Sequence, residues 1–280
     1  MHFLTVLKPG KGYDRMHSSL KLAVKYIRHQ ILASNGNGHG IHSPFVFEFV
    51  KKVLKDKKKY PAYIVIEKLR KRLLSDNTAV PIEDYGARSS RQPIASCSVA
   101  GITANAAKSP RYAQLLYRIV KYYGPHYVLE LGTSLGISTA YLAAGDERSA
   151  VITGEGNHMV AALAKNNFKG LGLKNIRIVT GNFDNTLPGM IAVLPQVDLA
   201  FIDGNHREDP TLNYFKHLLD SISPSSILIF DDIYWSGEME SAWKRIQEHP
   251  SVMLTIDLFR IGIVFFRPEF KVKQHFRIRF

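Results

Sequence analysis

Apolar side chains recur at helical spacing over 17–33, where Leu20, Leu22, Ala23, Tyr26, Ile27, Ile31 and Leu32 are interspersed with Lys21, Lys25 and Arg28. This spacing predicts an amphipathic helix. The run Asn35-Gly36-Asn37-Gly38-His39-Gly40 stops it. Ser43-Pro44 opens a second helix, with serine as N-cap and proline at the first helical position. Phe45, Phe47, Phe49, Val50, Val53 and Leu54 give that helix a heavy apolar load, and a charge run from Lys51 to Lys59 follows. A third helix is expected over about 62–75. Over 76–109 the periodicity fades. The polar stretch from Glu83 to Pro93 predicts a loop, read here as a substrate lid because it lies just upstream of the regular part of the chain. A plain linker is the alternative.

From residue 111 the pattern becomes regular. A helix is expected over 111–123. Short apolar runs predict strands at 126–131, 150–155, 175–180, 197–202 and 225–230. Helical stretches lie between and after them, at about 137–145, 158–169, 185–193, 209–221 and 236–248. Strand–helix alternation implies right-handed crossovers and a parallel sheet. The alternation ends at 252–258 and 261–267, which flank only Phe259-Arg260 and read as an antiparallel hairpin. The expected fold class is therefore α/β: a Rossmann-like doubly wound sheet, mostly parallel, with an antiparallel C-terminal hairpin and an N-terminal helical extension. The division follows composition: 1–109 a basic helical extension with a lid, 110–267 the catalytic domain, 268–280 a basic tail.

Composition narrows the class. Apolar residues make up 45% of 280 positions, enough for a sizeable core. No run of about 18 apolar residues suggests a membrane span. The N-terminus reads as a poor signal peptide, and Met16 is a candidate start. Cytoplasm is the expected compartment. The one cysteine, Cys97, excludes an internal disulfide framework and a cysteine zinc cluster. The net charge of +13 is uneven. Residues 1–110 hold 19 Lys and Arg against 7 acids, 111–266 hold 13 against 16, and 267–280 hold 5 against 1. Such basic ends suit an anionic substrate, nucleic acid or a membrane surface; a solvated lysine-rich helix face is the plainer reading.

The first parallel strand ends Val128-Leu129-Glu130-Leu131-Gly132-Thr133-Ser134-Leu135-Gly136. Strand, glycine loop and helix start bring bare N–H groups and a helix N-terminus to the carboxyl end of a sheet, where a nucleotide-like cofactor binds. Gly132, Thr133, Ser134 and Gly136 are the candidate cradle. The G-x-x-x-G spacing lacks the third glycine of a dinucleotide fingerprint. The next strand ends Glu155-Gly156-Asn157; a carboxylate there accepts from both ribose hydroxyls, whether of NAD or of S-adenosylmethionine. The third ends Thr180-Gly181-Asn182-Phe183-Asp184. Asn182 or Asp184 is placed for an adenine amino group and Phe183 for its ring; ordinary turn chemistry explains these residues equally well.

The fourth strand ends Phe201-Ile202-Asp203-Gly204-Asn205-His206 and the fifth Phe230-Asp231-Asp232-Ile233-Tyr234-Trp235. Adjacent parallel strands bring Asp203, Asp231 and Asp232 together beside the cofactor loop. Three crowded carboxylates repel one another unless some are protonated or a cation lies among them. Mg²⁺ or a similar divalent cation answers that and leaves positions for substrate oxygens. Helix N-capping is the alternative for Asp231-Asp232. His206 suits a general base near neutrality, with metal ligation or loop packing as alternatives. Tyr234 and Trp235 either floor a substrate pocket or pack in the core.

On these residues, 111–267 resembles the class I S-adenosylmethionine-dependent methyltransferases. Within that class it is similar to the cation-dependent O-methyltransferases of the catechol, caffeoyl-CoA and macrocin type. The resemblance implies S-adenosylmethionine as cofactor and a divalent cation on Asp203, Asp231 and Asp232. It implies in-line methyl transfer from a sulfonium to a hydroxyl oxygen. Catechol-type enzymes place a lysine base three residues after the first Asp; His206 stands there in this chain, which leaves the identity of the base open. Glu130 would lie near the methionine end of the cofactor. Gly40-Ile41-His42-Ser43-Pro44-Phe45 and Lys273-Gln274-His275-Phe276 resemble bacterial, Bacteroidetes-like members, which implies lineage and not substrate.

The leading expectation is a metal-dependent O-methyltransferase acting on a small acceptor. A nucleic-acid methyltransferase would use the basic N-terminal region, but no Asn-Pro-Pro-Tyr-like motif or catalytic cysteine pair supports it. A non-catalytic module that senses the cofactor is a third reading. NAD-dependent reduction is a fourth; it needs the missing glycine and leaves the acid trio without a role. The acceptor and oligomeric state, a homodimer included, stay open.

Overall fold

The computed structural model describes residues 17–33, 43–82 and 95–280. The expected lid over 83–93, the Gly40–His42 part of the lineage motif and the alternative start at Met16 lie outside the described residues.

The N-terminal elements follow their caps. Helix α1 (Ser19–Leu32) starts at Ser18, whose hydroxyl accepts from the Lys21 N–H. Helix α2 (Pro44–Phe49) has Ser43 as N-cap and Pro44 in its first turn, and continues into a π-helical turn over Val50–Leu54. Helix α3 (Pro61–Leu74) follows. The stretch after it is more ordered than expected. Strands β1 (Ala79–Ile82) and β2 (Ala95–Ser98) pair antiparallel, and helix α4 (Val99–Ala106) is capped by the Ser98 hydroxyl. Helix α4 is short and rich in small and apolar residues, so no polar stripe marked it in the sequence. Helix α5 (Pro110–Tyr123) starts at its proline and ends at Gly124 in the left-handed region.

The regular part alternates as its pattern predicts: β3 (Tyr127–Leu131), α6 (Ile137–Gly145), β4 (Ala150–Glu155), α7 (His158–Gly170), β5 (Ile176–Thr180), α8 (Phe183–Ala192), β6 (Val197–Ile202), α9 (Glu208–Leu219), β7 (Ile222–Asp231) and α10 (Gly237–Glu248). Strands β8 (Leu254–Asp257) and β9 (Ile261–Phe265) form the expected antiparallel hairpin. The basic tail holds one more strand, β10 (Gln274–Arg277), parallel to β8.

Strand order is β10-β8-β9-β7-β6-β3-β4-β5. The chain winds from β3 outward through β4 and β5, then returns to β6 and continues through β7. The direction of winding reverses between β3 and β6, and in such sheets the ligand crevice lies outside the strand carboxyl ends at that reversal. This alone places Gly132 and Asp203 at the site.

Both faces of the sheet are buried, so the central strands read as apolar runs. One core joins Leu115, Leu116 and Ile119 of α5 to Val128, Phe201 and Ile229 of the sheet. Val46, Phe49 and Val53 from the N-terminal segment and Ile278 and Phe280 from the tail belong to the same cluster. A second cluster covers the other face with Leu212, Phe215, Trp243 and Ile246. No helix among the described residues is long and apolar enough to cross a membrane.

Candidate active site

The glycine loop is built for close approach. Gly132 has φ +103°, and a Cβ there would lie 2.1 Å from the Asp203 carbonyl oxygen. Gly136 has φ +86°, and its Cβ would lie 2.4 Å from the Phe168 ring. Both positions therefore exclude any other residue. Between them Thr133 is fully buried, its hydroxyl donating to the Gly154 carbonyl at 3.0 Å. Ser134 adopts φ +48°. A cleft lies over this loop, lined by Thr103, Ala106 and Ala107 on one side and Gly132 to Leu135, Ile137, Ser138 and Asp203 on the other. Helix α4, absent from the sequence expectation, forms one wall.

The Glu155 carboxylate accepts from the Ser134 N–H at 2.7 Å and the Asn157 N–H at 3.0 Å. It thereby ties the tip of β4 to the glycine loop. Burial raises its pKa, and those N–H groups oppose the rise. Gly156 sits in the bend beyond it. Glu130 is fully buried beneath the loop and is not among the residues lining the cleft. Thr139 and Thr153 donate to its Oε2 at 2.5 and 2.7 Å, while Oε1 has no partner among the described residues. Burial pushes its pKa up as well.

At the next strand end, Asn182 is the N-cap of α8 and accepts from the Asp184 N–H at 2.8 Å. Asp184 itself accepts from the Tyr214 hydroxyl at 3.0 Å. The Phe183 ring lies against Gly154 and Gly204; a Cβ on Gly204 would stand 2.5 Å from it. Phe183 thus bridges the tips of β4 and β6.

The acids converge, though not as a trio. Asp203 and Asp231 meet, with His206 Nε2 3.6 Å from Asp203 Oδ1. One ligand atom from each of Asp203, His206 and Asp231 falls within 4.8 Å of the others. Asp232 is outside that group. Its backbone is left-handed, φ +49°, and its carboxylate is 3.5 Å from Arg260. It does not cap α10 either, because the Ser236 hydroxyl does so. Tyr234 also turns away from the site: it donates to Asp257 at 2.6 Å and stacks on Phe259.

The cation among the acids is a lysine. The Lys108 ammonium, on the linker between α4 and α5, donates to Asp231 Oδ2 and lies 3.2 Å from Asp203 Oδ1. Burial opposes its charge, but Asp231, Asp203 and Asp232 together outweigh burial and push its pKa up. Each acid gains from one ammonium only. Burial therefore dominates for Asp203 and Asp231 and raises each to about 6, with Lys108 opposing. In the sequence, nothing local separated Lys108 from the 18 other Lys and Arg among residues 1–110.

Residues 129–233 match the family model of a methyltransferase domain. The chain carries a class I S-adenosylmethionine-dependent methyltransferase domain. The match begins in β3 and ends just past Asp232, so it takes in the glycine loop, Glu155, Asp203, His206 and Asp231, while Lys108 and the α4 wall of the cleft lie outside it. Solved structures share the methyltransferase fold. The methyltransferase PaMTH1 of Podospora anserina, bound to SAH, superposes with a TM-score of 0.57 at 17% identity, covering 80% of this chain and 97% of its own. An O-methyltransferase from Bacillus cereus, also in complex with SAH, gives 0.53 at 19%, covering 79% and 97%. The O-methyltransferase TomG of Streptomyces achromogenes, involved in tomaymycin synthesis and bound to SAM, gives 0.52 at 18%, covering 58% and 82%. No curated protein matches the chain. In the methyltransferase domain, left-handed backbone at non-glycine residues recurs at strand ends, at Ser134, Asn205 and Asp232. Such strain collects at functional sites.

Proposed function

We propose that this methyltransferase transfers a methyl group from S-adenosylmethionine to a hydroxyl of a small acceptor, with positive charge beside Asp203 and Asp231 assisting. One observation carries the reading: the glycine-loop cleft and the charged cluster meet at Asp203, which lines the first and belongs to the second.

The cofactor has a place over the loop, in the cleft lined by Gly132 to Leu135, Ile137, Ser138 and Asp203. Gly132, Thr133, Ser134, Gly136 and Gly156 would cradle it, and Glu155 would accept from the ribose hydroxyls. Asn182 and Phe183 would flank the adenine, and Asp203 would border the methionine end. Glu130 supports the loop from beneath. When bound, S-adenosylmethionine supplies a methyl group on a sulfonium, an electrophile that needs no further activation. The chain's contribution is then to orient the hydroxyl in line and lower the cost of its oxyanion. His206, with its side chain 30% exposed and Nε2 3.6 Å from Asp203, would take the hydroxyl proton at Nε2. Transfer to the acceptor oxygen would leave the cofactor as a neutral thioether in the glycine-loop cleft.

A divalent cation is the second reading of the assisting charge, carried by the convergence of Asp203, His206 and Asp231. The fit is incomplete. Asp232 is drawn to Arg260, an imidazole replaces an oxygen donor, and the Lys108 ammonium already bridges the two remaining acids. A hard ion such as Mg²⁺ prefers oxygen donors throughout. The basic N-terminal residues favour an anionic acceptor over a neutral one.

Calorimetry with S-adenosylmethionine, followed by labelled-methyl transfer to a panel of hydroxylated acceptors, tests the reading. Binding with one site and transfer to oxygen supports it. Lack of cofactor binding removes it, and salt-sensitive RNA or DNA binding with base methylation would replace it.

A further inference from the structure

We infer that the Lys108 ammonium is the resident cation of the acidic site and keeps a divalent metal ion out of it. The inference rests on the reading that Asp203 and Asp231 serve methyl transfer, and concerns which cation assists them.

Three observations carry it. First, the space is taken. The ligand atoms of Asp203, His206 and Asp231 lie within 4.8 Å of one another, room for one cation, and Lys108 Nζ contacts two of the three residues. A metal ion on those oxygens would sit at contact distance from a second positive charge. Second, each acid already faces a protein cation. Lys108 serves Asp231 and Asp203, and Arg260 faces Asp232. Three carboxylates against two cations leave one negative charge, too little to compensate an added dication. Third, Lys108 is held in place. Its side chain is 14% exposed, and it stands in the short linker from α4 to α5. Val99 and Ile102 of α4 and Ala113, Leu115 and Leu116 of α5 are buried on either side. Pro110 opens α5 and restricts the residue before it to extended backbone, which limits the conformations open to the short linker. Withdrawing the ammonium would therefore strand two buried carboxylates and disturb two packed helices.

Chemically, an ammonium differs from a metal ion. It offers three N–H donors and a single charge, so it can orient an acceptor hydroxyl by hydrogen bonding without acting as a strong Lewis acid. Proton removal then falls to a side chain, and His206 borders the same carboxylate.

The experiment is a Mn²⁺ titration of the chelator-treated full chain, followed by electron paramagnetic resonance, on wild type, Lys108→Ala and the double variant Lys108→Ala, Asp203→Asn. The wild type is expected to leave Mn²⁺ free into the millimolar range. Lys108→Ala should gain one bound Mn²⁺, and the added Asp203→Asn should abolish it. One tightly bound Mn²⁺ in the wild type overturns the inference. So does a Lys108→Ala chain that folds by circular dichroism yet binds no metal, since Lys108 is then not what excludes it. If Lys108→Ala does not fold, the wild-type titration alone decides. Calorimetry with S-adenosylmethionine on the same wild-type sample separates the two readings. Failure to bind cofactor removes the methyl-transfer reading, whereas Mn²⁺ binding removes only the lysine's role.

Discussion

Gly132 and the Asp203 carbonyl touch across the point where the sheet's winding reverses: a Cβ on Gly132 would stand 2.1 Å from that oxygen. The contact joins the end of β3 to the end of β6, and with them the cofactor loop to the charged cluster. Gly132→Ala would combine a backbone clash with φ +103°. Substitutions of this kind cost roughly 1–3 kcal/mol in strain, more where the backbone must shift. Urea unfolding should show that loss. Calorimetry should show weaker S-adenosylmethionine binding even at temperatures where the variant remains folded.

Glu155 holds two backbone N–H groups and is the expected ribose partner. Glu155→Gln keeps the shape but removes one acceptor oxygen and the charge. Charge-assisted hydrogen bonds are worth about 1.5–3 kcal/mol, so cofactor affinity should fall about 10- to 100-fold. Calorimetry measures this directly. An unchanged affinity would remove Glu155 from the cofactor site.

Asp203→Asn is expected to leave the fold intact while lowering turnover far more than cofactor affinity. Loss of one preorganised electrostatic partner typically costs about 10²–10³ in kcat. The check is single-turnover methyl transfer beside calorimetry of the same variant.

Lys108→Met would leave the Asp231 and Asp203 carboxylates buried without their ammonium. Removing one partner of a buried ion pair costs about 3–5 kcal/mol. The thermal midpoint should drop, and lowering the pH should recover part of the loss as the stranded acids take up protons.

The C-terminal strand carries its own pH dependence. His275 on β10 hydrogen-bonds Thr255 at 2.8 Å, and burial, then Lys273, lowers its pKa below 6.5. The unfolded chain therefore binds the proton more readily. The contribution of His275 is present above about pH 6.5 and is lost as pH falls through its folded value. Denaturant unfolding at several pH values should show a downward slope on the acid side. His275→Gln should flatten it.

Much of this architecture was legible in one dimension. Short apolar runs and period-3.6 patterning gave the central strands and helices, because each must bury one face or both, whatever its neighbours. Ser43 and Pro44 marked a helix start through local chemistry alone. The glycine loop and the acids at the ends of β6 and β7 could be placed from strand alternation, because parallel strands share a carboxyl edge. Where short-range pattern was silent, so was the sequence. Helix α4 has no polar stripe, and β10 is a four-residue edge strand inside a basic tail.

The composition of the charged cluster lay beyond the sequence for a different reason. Asp231 and Lys108 stand 123 positions apart, and Asp232 is separated from its neighbour's partner only by the left-handed turn at φ +49°. Local pattern determines which elements form and which edge holds the loop ends. Which side chains share a few ångströms of buried space depends on how helices pack across the sheet. The sequence therefore determined that these acids needed protons or a cation among them, by like-charge repulsion. Only the tertiary structure decided that a lysine from the N-terminal segment would supply it.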